Sequence, residues 1–207
     1  MSTYLIVRSL GGSLIGIDDA NIFFVYARNF AGGHGIVYNI GGEHVEGFSS
    51  VLYFLICSLG YAFSATPETG FLVLNFFFAL LTILLMLYML QVLCSRLLLS
   101  ASLRVILMLG FLILIFANPF YIFWTIVSLM DSGLYSMLVT IAFVFLALLI
   151  LTPNVSQTKS IQLSFLIPLL VLSRPEGVLW AVLSLVVFFY LNSVQGKSYL
   201  SSLRASL

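Results

Sequence analysis

Apolar residues run through this chain in long blocks, and the polar residues gather in short clusters between them instead of alternating with them. The first block with clear helical spacing follows Asp18–Asp19. In ANIFFVYARNFA, Ile22, Phe23, Tyr26, Ala27 and Phe30 recur on one side, with Asn21, Arg28 and Asn29 on the other. An aspartate before the block and Gly32–Gly33 after it are good cap and stop signals, so the pattern predicts a short amphipathic helix of interfacial type. The loop that follows, GHGIVYNIGGEHVEG, is rich in glycine, which suits tight turns or close backbone approach to a ligand.

Longer blocks come next. Phe48 to Ala65 is either a thin span or a second interfacial helix, and Thr66-Pro67-Glu68-Thr69 reads as a turn with a helix start. Gly70 to Leu93 is long enough for a full span, which needs about 20 apolar residues. Another span runs from Ala101 through Ala117 to a break at Asn118–Pro119. Phe120 to Met130 is apolar but short and stops at Asp131-Ser132-Gly133. Leu134 to Leu151 crosses again, to the polar loop TPNVSQTKS. Ile161 to Ser173 is brief and contains Pro168, which sets Arg174-Pro175-Glu176 in or just under the head groups. Gly177 to Leu191 returns toward Lys197 and Arg204. The first 17 residues, with Arg8 inside and glycines at 11, 12 and 16, match neither a clean signal peptide nor a full span.

Composition fixes the class. A chain that is 62% hydrophobic and 7% charged, with a mean hydropathy of +1.19, lacks the charge a water-facing surface needs. The apolar runs also lack the strict alternation of a membrane β-barrel. The expectation is an all-α integral membrane protein, with 18–65 as a loop bearing interfacial helices and 70–193 as a transmembrane bundle within one membrane domain, 1–207. A net charge of +1 leaves no basic stripe for phosphates and excludes a nucleic-acid partner. Cys57 and Cys94 have no CxxC spacing and read as small core hydrophobes.

Charge also orients the bundle. If Gly70 to Leu93 spans and Phe48 to Ala65 stays interfacial, Arg96, Arg104, Lys159, Lys197 and Arg204 share one side, which the positive-inside rule makes cytoplasmic. Asp18, Asp19, Glu43, Glu46, Glu68, Asp131 and Glu176 then share the other. Three clusters on that acidic side are functional candidates, because ionisable residues at membrane depth are costly: Asp18–Asp19 with the glycine-rich loop, Asp131-Ser132-Gly133, and Arg174-Pro175-Glu176-Gly177.

The stretch DDANIFFVYARNFAGGHGIVYNIGGEHVEGFSS resembles the first extracytoplasmic loop of bacterial GT-C-fold glycosyltransferases that use polyprenyl-phosphate sugars, such as the mycobacterial arabinofuranosyltransferases and related mannosyltransferases. Ser132-Gly133-Leu134 and Ser173-Arg174-Pro175-Glu176-Gly177 resemble two later family signatures, in the family's order. The resemblance implies a GT-C-type multi-span bundle. It also implies an enzyme that moves a sugar from a polyprenyl-phosphate carrier to a glycan, lipid or protein hydroxyl outside the bacterial plasma membrane, amid membrane lipids and with no cofactor. Family members carry an acid after SGL where this chain has Tyr135, and they are longer, so the chain reads as an N-terminal portion.

On this reading Asp18 is the general base of an inverting transfer, with Asp19 orienting the acceptor. Their bland reading is as caps of the amphipathic helix. Arg28, Arg174 and His34 are candidates for the donor phosphate, since the arginine fork matches phosphate oxygens. Head-group anchoring is the alternative for Arg28, and an ion pair with Glu176 the alternative for Arg174. Glu46 is a candidate contact for the acceptor sugar, and Glu176 is placed in the same substrate-binding set. Asp18, Asp19, His34, Glu43 and His44 are the right ligand types for a divalent metal but have no fixed motif spacing, so no metal is assigned. Tyr26, Tyr38, Tyr53 and Trp124 are either sugar-stacking platforms or membrane anchors. The rival functions are an inactive subunit that binds polyprenyl lipid or a partner, and a transporter, which would bury ionisable groups at the midplane of several spans.

Overall fold

The computed structural model describes residues 18–43, 47–151 and 157–205, the side chains of 18, 157 and 195–205 excepted. The N-terminal stretch 1–17 and the side chains of Lys197 and Arg204 therefore lie outside the described residues. The elements are α1 (Asp18–Ala31), α2 (Val51–Phe63), α3 (Glu68–Arg96), α4 (Ala101–Phe116), α5 (Pro119–Ile122), a π-helical turn (Phe123–Val127), α6 (Ser132–Leu151), α7 (Gln157–Ser173) and α8 (Gly177–Ala205), with no strand among the described residues.

Local chemistry accounts for most boundaries. Helix α1 stops in a Schellman motif: the N–H of His34 donates to Asn29 O at 3.0 Å and that of Gly33 to Phe30 O at 3.0 Å, with Gly33 at φ 79°. The same motif closes α3, where the N–H of Leu99 donates to Cys94 O at 3.1 Å, but there a leucine, Leu98, takes the left-handed position at φ 54°. Ser50 caps α2 by accepting the Tyr53 N–H at 3.1 Å. Asn118 caps α5, accepting from the N–H groups of Phe120 and Tyr121 at 3.1 and 3.4 Å. Pro119 occupies its first turn, where a missing N–H costs nothing.

Among the described residues, three helices are long and apolar enough to cross a membrane: α3, α6 and the 177–194 part of α8. A fourth crossing results if α4 and the 119–127 segment count as one span broken by a 67° bend. Helix α2, with 13 residues, rises only about 20 Å, too little for a hydrocarbon core of about 30 Å. It packs instead against α1 through aromatic side chains: Phe23 meets Tyr53 edge-on at 5.4 Å and Phe30 meets Phe54 edge-on at 5.4 Å, while Phe24 of α1 stacks on Phe71 of α3 at 5.4 Å. Phe48 stacks on Phe54 at 4.5 Å. Helices α3 and α6 form the central pair, and α7 and α8 lean on α6. Leu134, Leu138, Ala142, Leu166, Leu170 and Ala181 fill the space between them.

The chain threads so that Glu68, Asp131 and Glu176 lie at one end of the bundle with α1 and α2, and Arg96, Arg104 and Lys159 at the other. Two apolar blocks extend beyond their expected limits. Helix α7 begins at Gln157, ahead of Ile161, and contains Pro168 without ending there, as helices packed in membrane bundles tolerate. Helix α8 runs past Leu191 to Ala205.

Candidate functional site at the acidic end

The chain enters α6 through a distorted passage. The N–H of Ser128 donates back to Phe123 O at 2.8 Å, the five-residue spacing of a π-turn. Leu129 then takes φ 56° while fully buried, a backbone state that costs a side-chain-bearing residue about 1–2 kcal/mol. Asp131, also fully buried, follows. Its carboxylate oxygens accept two parallel bonds from Arg174: Nε to Oδ2 at 2.8 Å and Nη2 to Oδ1 at 2.6 Å. The guanidinium also stands 5.5 Å over the Tyr135 ring. The hydrogen bond to Asp131 pushes the Arg174 guanidinium further up, against the opposite pull of burial, so it stays cationic.

Residues 129, 130 and 131 are each held by a different element. From α2, the Tyr53 hydroxyl donates to Leu129 O at 2.8 Å. From α3, Asn75 Nδ2 donates to Met130 O at a long 3.3 Å, and the buried Asn75 Oδ1 has no partner. Arg174, from the turn between α7 and α8, takes Asp131. Cys57 is fully buried in the same layer. Burial pushes the Tyr53 phenol and the Cys57 thiol up, so both are neutral there.

The glycines of the two short motifs are required by this packing. A Cβ on Gly133 would lie 2.5 Å from Thr125 O, and one on Gly177 would overlap the Leu170 carbonyl, 2.6 Å from its carbon. The motif beginning at Ser132 and the motif ending at Gly177 are thus the points where the distorted passage meets α6 and where α7 meets α8.

The sequence-named residues distribute as follows. Asp18 is the first residue of α1, with its side chain outside the described atoms, and Asp19 is exposed in the same turn. Arg28 and His34 are exposed at and beyond the other end of α1. Arg28 acts electrostatically on Tyr61, whose hydroxyl donates to Glu68 Oε1 at 2.7 Å. That phenol is pushed up by burial first and by Glu68 second, with Arg28 opposing. Glu46 and His44 lie outside the described residues, and Glu43 and Glu176 are exposed.

Arg174 does pair with a carboxylate, but with Asp131 and not with its near neighbour Glu176. Tyr26 and Tyr53 are buried and are not free platforms, whereas Tyr38 and Trp124 are exposed. Both cysteines are buried free thiols. Among the described residues no three His, Cys, Asp or Glu side chains come together as a metal group would require.

Tyr53 and Asn75 escaped the sequence-level selection as holders of the passage. Asn75 had a usable signal, a carboxamide inside an otherwise apolar span; Tyr53 had none, being one aromatic among many. Comparison with protein-family models, with curated protein sequences and with solved structures finds no match for the chain.

Proposed function

We propose that this chain is the motif-bearing part of a GT-C-type glycosyltransferase that moves a sugar from a polyprenyl phosphate to an acceptor hydroxyl at the extracytoplasmic face of a bacterial plasma membrane. In the proposed step the Asp18 carboxylate takes the acceptor O–H proton. The acceptor oxygen forms a bond to the sugar's anomeric carbon with inversion, and the carbon–oxygen bond to the carrier breaks, releasing polyprenyl phosphate. Asp19 orients the acceptor, while Arg28, His34, Glu46 and Glu176 are the proposed substrate contacts.

The observation that supports the reading most is the meeting of the two later motif regions, through Asp131 just before Ser132-Gly133-Leu134 and Arg174 within the other. They are far apart in sequence, yet Asp131 and Arg174, separated by 43 positions, form a bidentate pair at the same end of the bundle as α1. The same pair favours a second reading. With its Nε–Nη2 edge given to Asp131, Arg174 keeps only its Nη1 and remaining Nη2 N–H groups for a phosphate, and a largely structural arginine fits an inactive subunit that keeps the fold and binds polyprenyl lipid.

Radiolabelled sugar transfer from a panel of polyprenyl-phosphate sugars to membrane acceptors separates the two. The chain, its longest reading frame and the Asp18→Asn variant of each are compared. Transfer that Asp18→Asn abolishes at unchanged membrane insertion supports the transferase. Transfer indifferent to Asp18 removes that residue as base, and no transfer from any donor favours the inactive subunit.

A further inference from the structure

Residues 123–131 combine three features that relaxed segments seldom share: a π-helical turn, a buried leucine in the left-handed region, and a 67° bend from the preceding helix. Such features persist where the surroundings over-determine them. Here three attachments do so, and they are unequal. The bond from Asn75 is long and leaves that residue's own oxygen unpaired. The bond from Tyr53 is a single neutral one. The bond from Arg174 is ionised and two-pronged, the strongest of the kinds present. It is also the attachment that comes from the α7–α8 turn.

We propose that the Asp131–Arg174 pair is a clasp that holds the strained 118–131 segment closed over the buried layer of Tyr53, Cys57 and Asn75, so that undoing the pair opens this layer while the opposite end of the bundle stays shut. Asp131 is fully buried, whereas the Arg174 side chain is 26% exposed. The clasp is therefore reached from the protein surface through its cation. The inference holds whether or not the chain transfers sugars, since it concerns only what keeps this segment in place.

Two native thiols report on the two ends. Cys57 lies close enough to Asp131 to feel its charge, and Cys94 is buried in the last turn of α3 at the basic end. The full chain in native membrane vesicles is treated with N-ethylmaleimide, and modification of each cysteine is followed by mass spectrometry. In the unaltered protein both label slowly. In Arg174→Ala and in Asp131→Asn the Cys57 rate rises about tenfold or more, since a buried charge or carboxamide is left without its partner, and Cys94 is unchanged.

Arg174→Lys keeps the charge and the fold but loses the fork, and gives a severalfold rise at Cys57 alone. Unchanged Cys57 labelling in all three variants overturns the clasp. Equal acceleration at Cys57 and Cys94 also overturns it, because the pair would then stabilise the whole bundle and not one segment.

Discussion

Gly177→Ala offers the sharpest test of how α7 and α8 meet. An added Cβ would overlap the oxygen of Leu170 and lie 2.6 Å from its carbonyl carbon, against an ordinary carbon–carbon separation of about 3.5–4.0 Å. One helix must therefore retreat by roughly 1 Å, and the obstacle is backbone, which cannot rotate aside as a side chain can. Overpacking costs about 1–3 kcal/mol where neighbours can adjust. We take about 3 kcal/mol, because the retreat also pulls on Arg174, three residues earlier in the same tight turn.

The internal control is Gly110→Ala, in mid-α4 where a Cβ meets nothing within 4 Å. There alanine's higher helix propensity gives a gain of about 0.5–1 kcal/mol. The assay is thermal unfolding of purified protein in one detergent, followed by size-exclusion fluorescence. Gly177→Ala is expected to lower the midpoint by roughly 6–12 °C, at about 2–4 °C per kcal/mol for a chain of this size, and Gly110→Ala to hold or raise it. Equal midpoints for the two variants would refute the close approach of Gly177 to Leu170.

Tyr53→Phe leaves Leu129 O without its donor, at a cost of about 1–3 kcal/mol, read as a lower midpoint in the same scan; no loss would mean that the hydroxyl does not hold the passage. Asn75→Leu gives up one long bond but also removes an unpaired buried oxygen, so it should change stability by no more than about 1 kcal/mol. A drop well beyond that would show that the carboxamide oxygen has a partner. Asp18→Asn abolishes sugar transfer under the proposed chemistry while membrane insertion is kept, which counting labelled product and membrane-fraction protein together checks.

The parts of this architecture that were legible in the sequence are those written by local rules. Gly32–Gly33 closes α1 as capping chemistry dictates, and Asn118–Pro119 marks the break after α4. Gly70 to Leu93 sits within α3, and of the two readings of Phe48 to Ala65 the interfacial one, which puts the basic residues on one side, agrees with a helix of 13 residues. What stayed illegible is tertiary. That Arg174 would choose Asp131 over Glu176 depends on α6 and α7 lying side by side, which spacing along the chain does not encode. Leu129 shows the limit from another side: leucine has no preference for the left-handed region, so only packing and the three attachments around it explain its conformation. Similarly, Gln157 begins α7 among polar residues that hydropathy alone assigns to a loop.

Helix α4 bears no buried residue, and Leu103, Ile106, Leu109, Ile113 and Leu114 all face outward. Its tethers are at its ends: Arg104 Nε donates to Leu99 O at 2.8 Å on one side, and the Asn118 cap forms the other. Sixteen residues rise about 24 Å, several ångströms short of the hydrocarbon thickness. With little side-to-side contact with the bundle, α4 is a strut too short to span alone, and a bilayer accommodates such a helix by thinning around it. Each ångström of thickness mismatch is worth a fraction of a kcal/mol, and the strut delivers that load to Asn118, at the head of the bent segment that Asp131 closes.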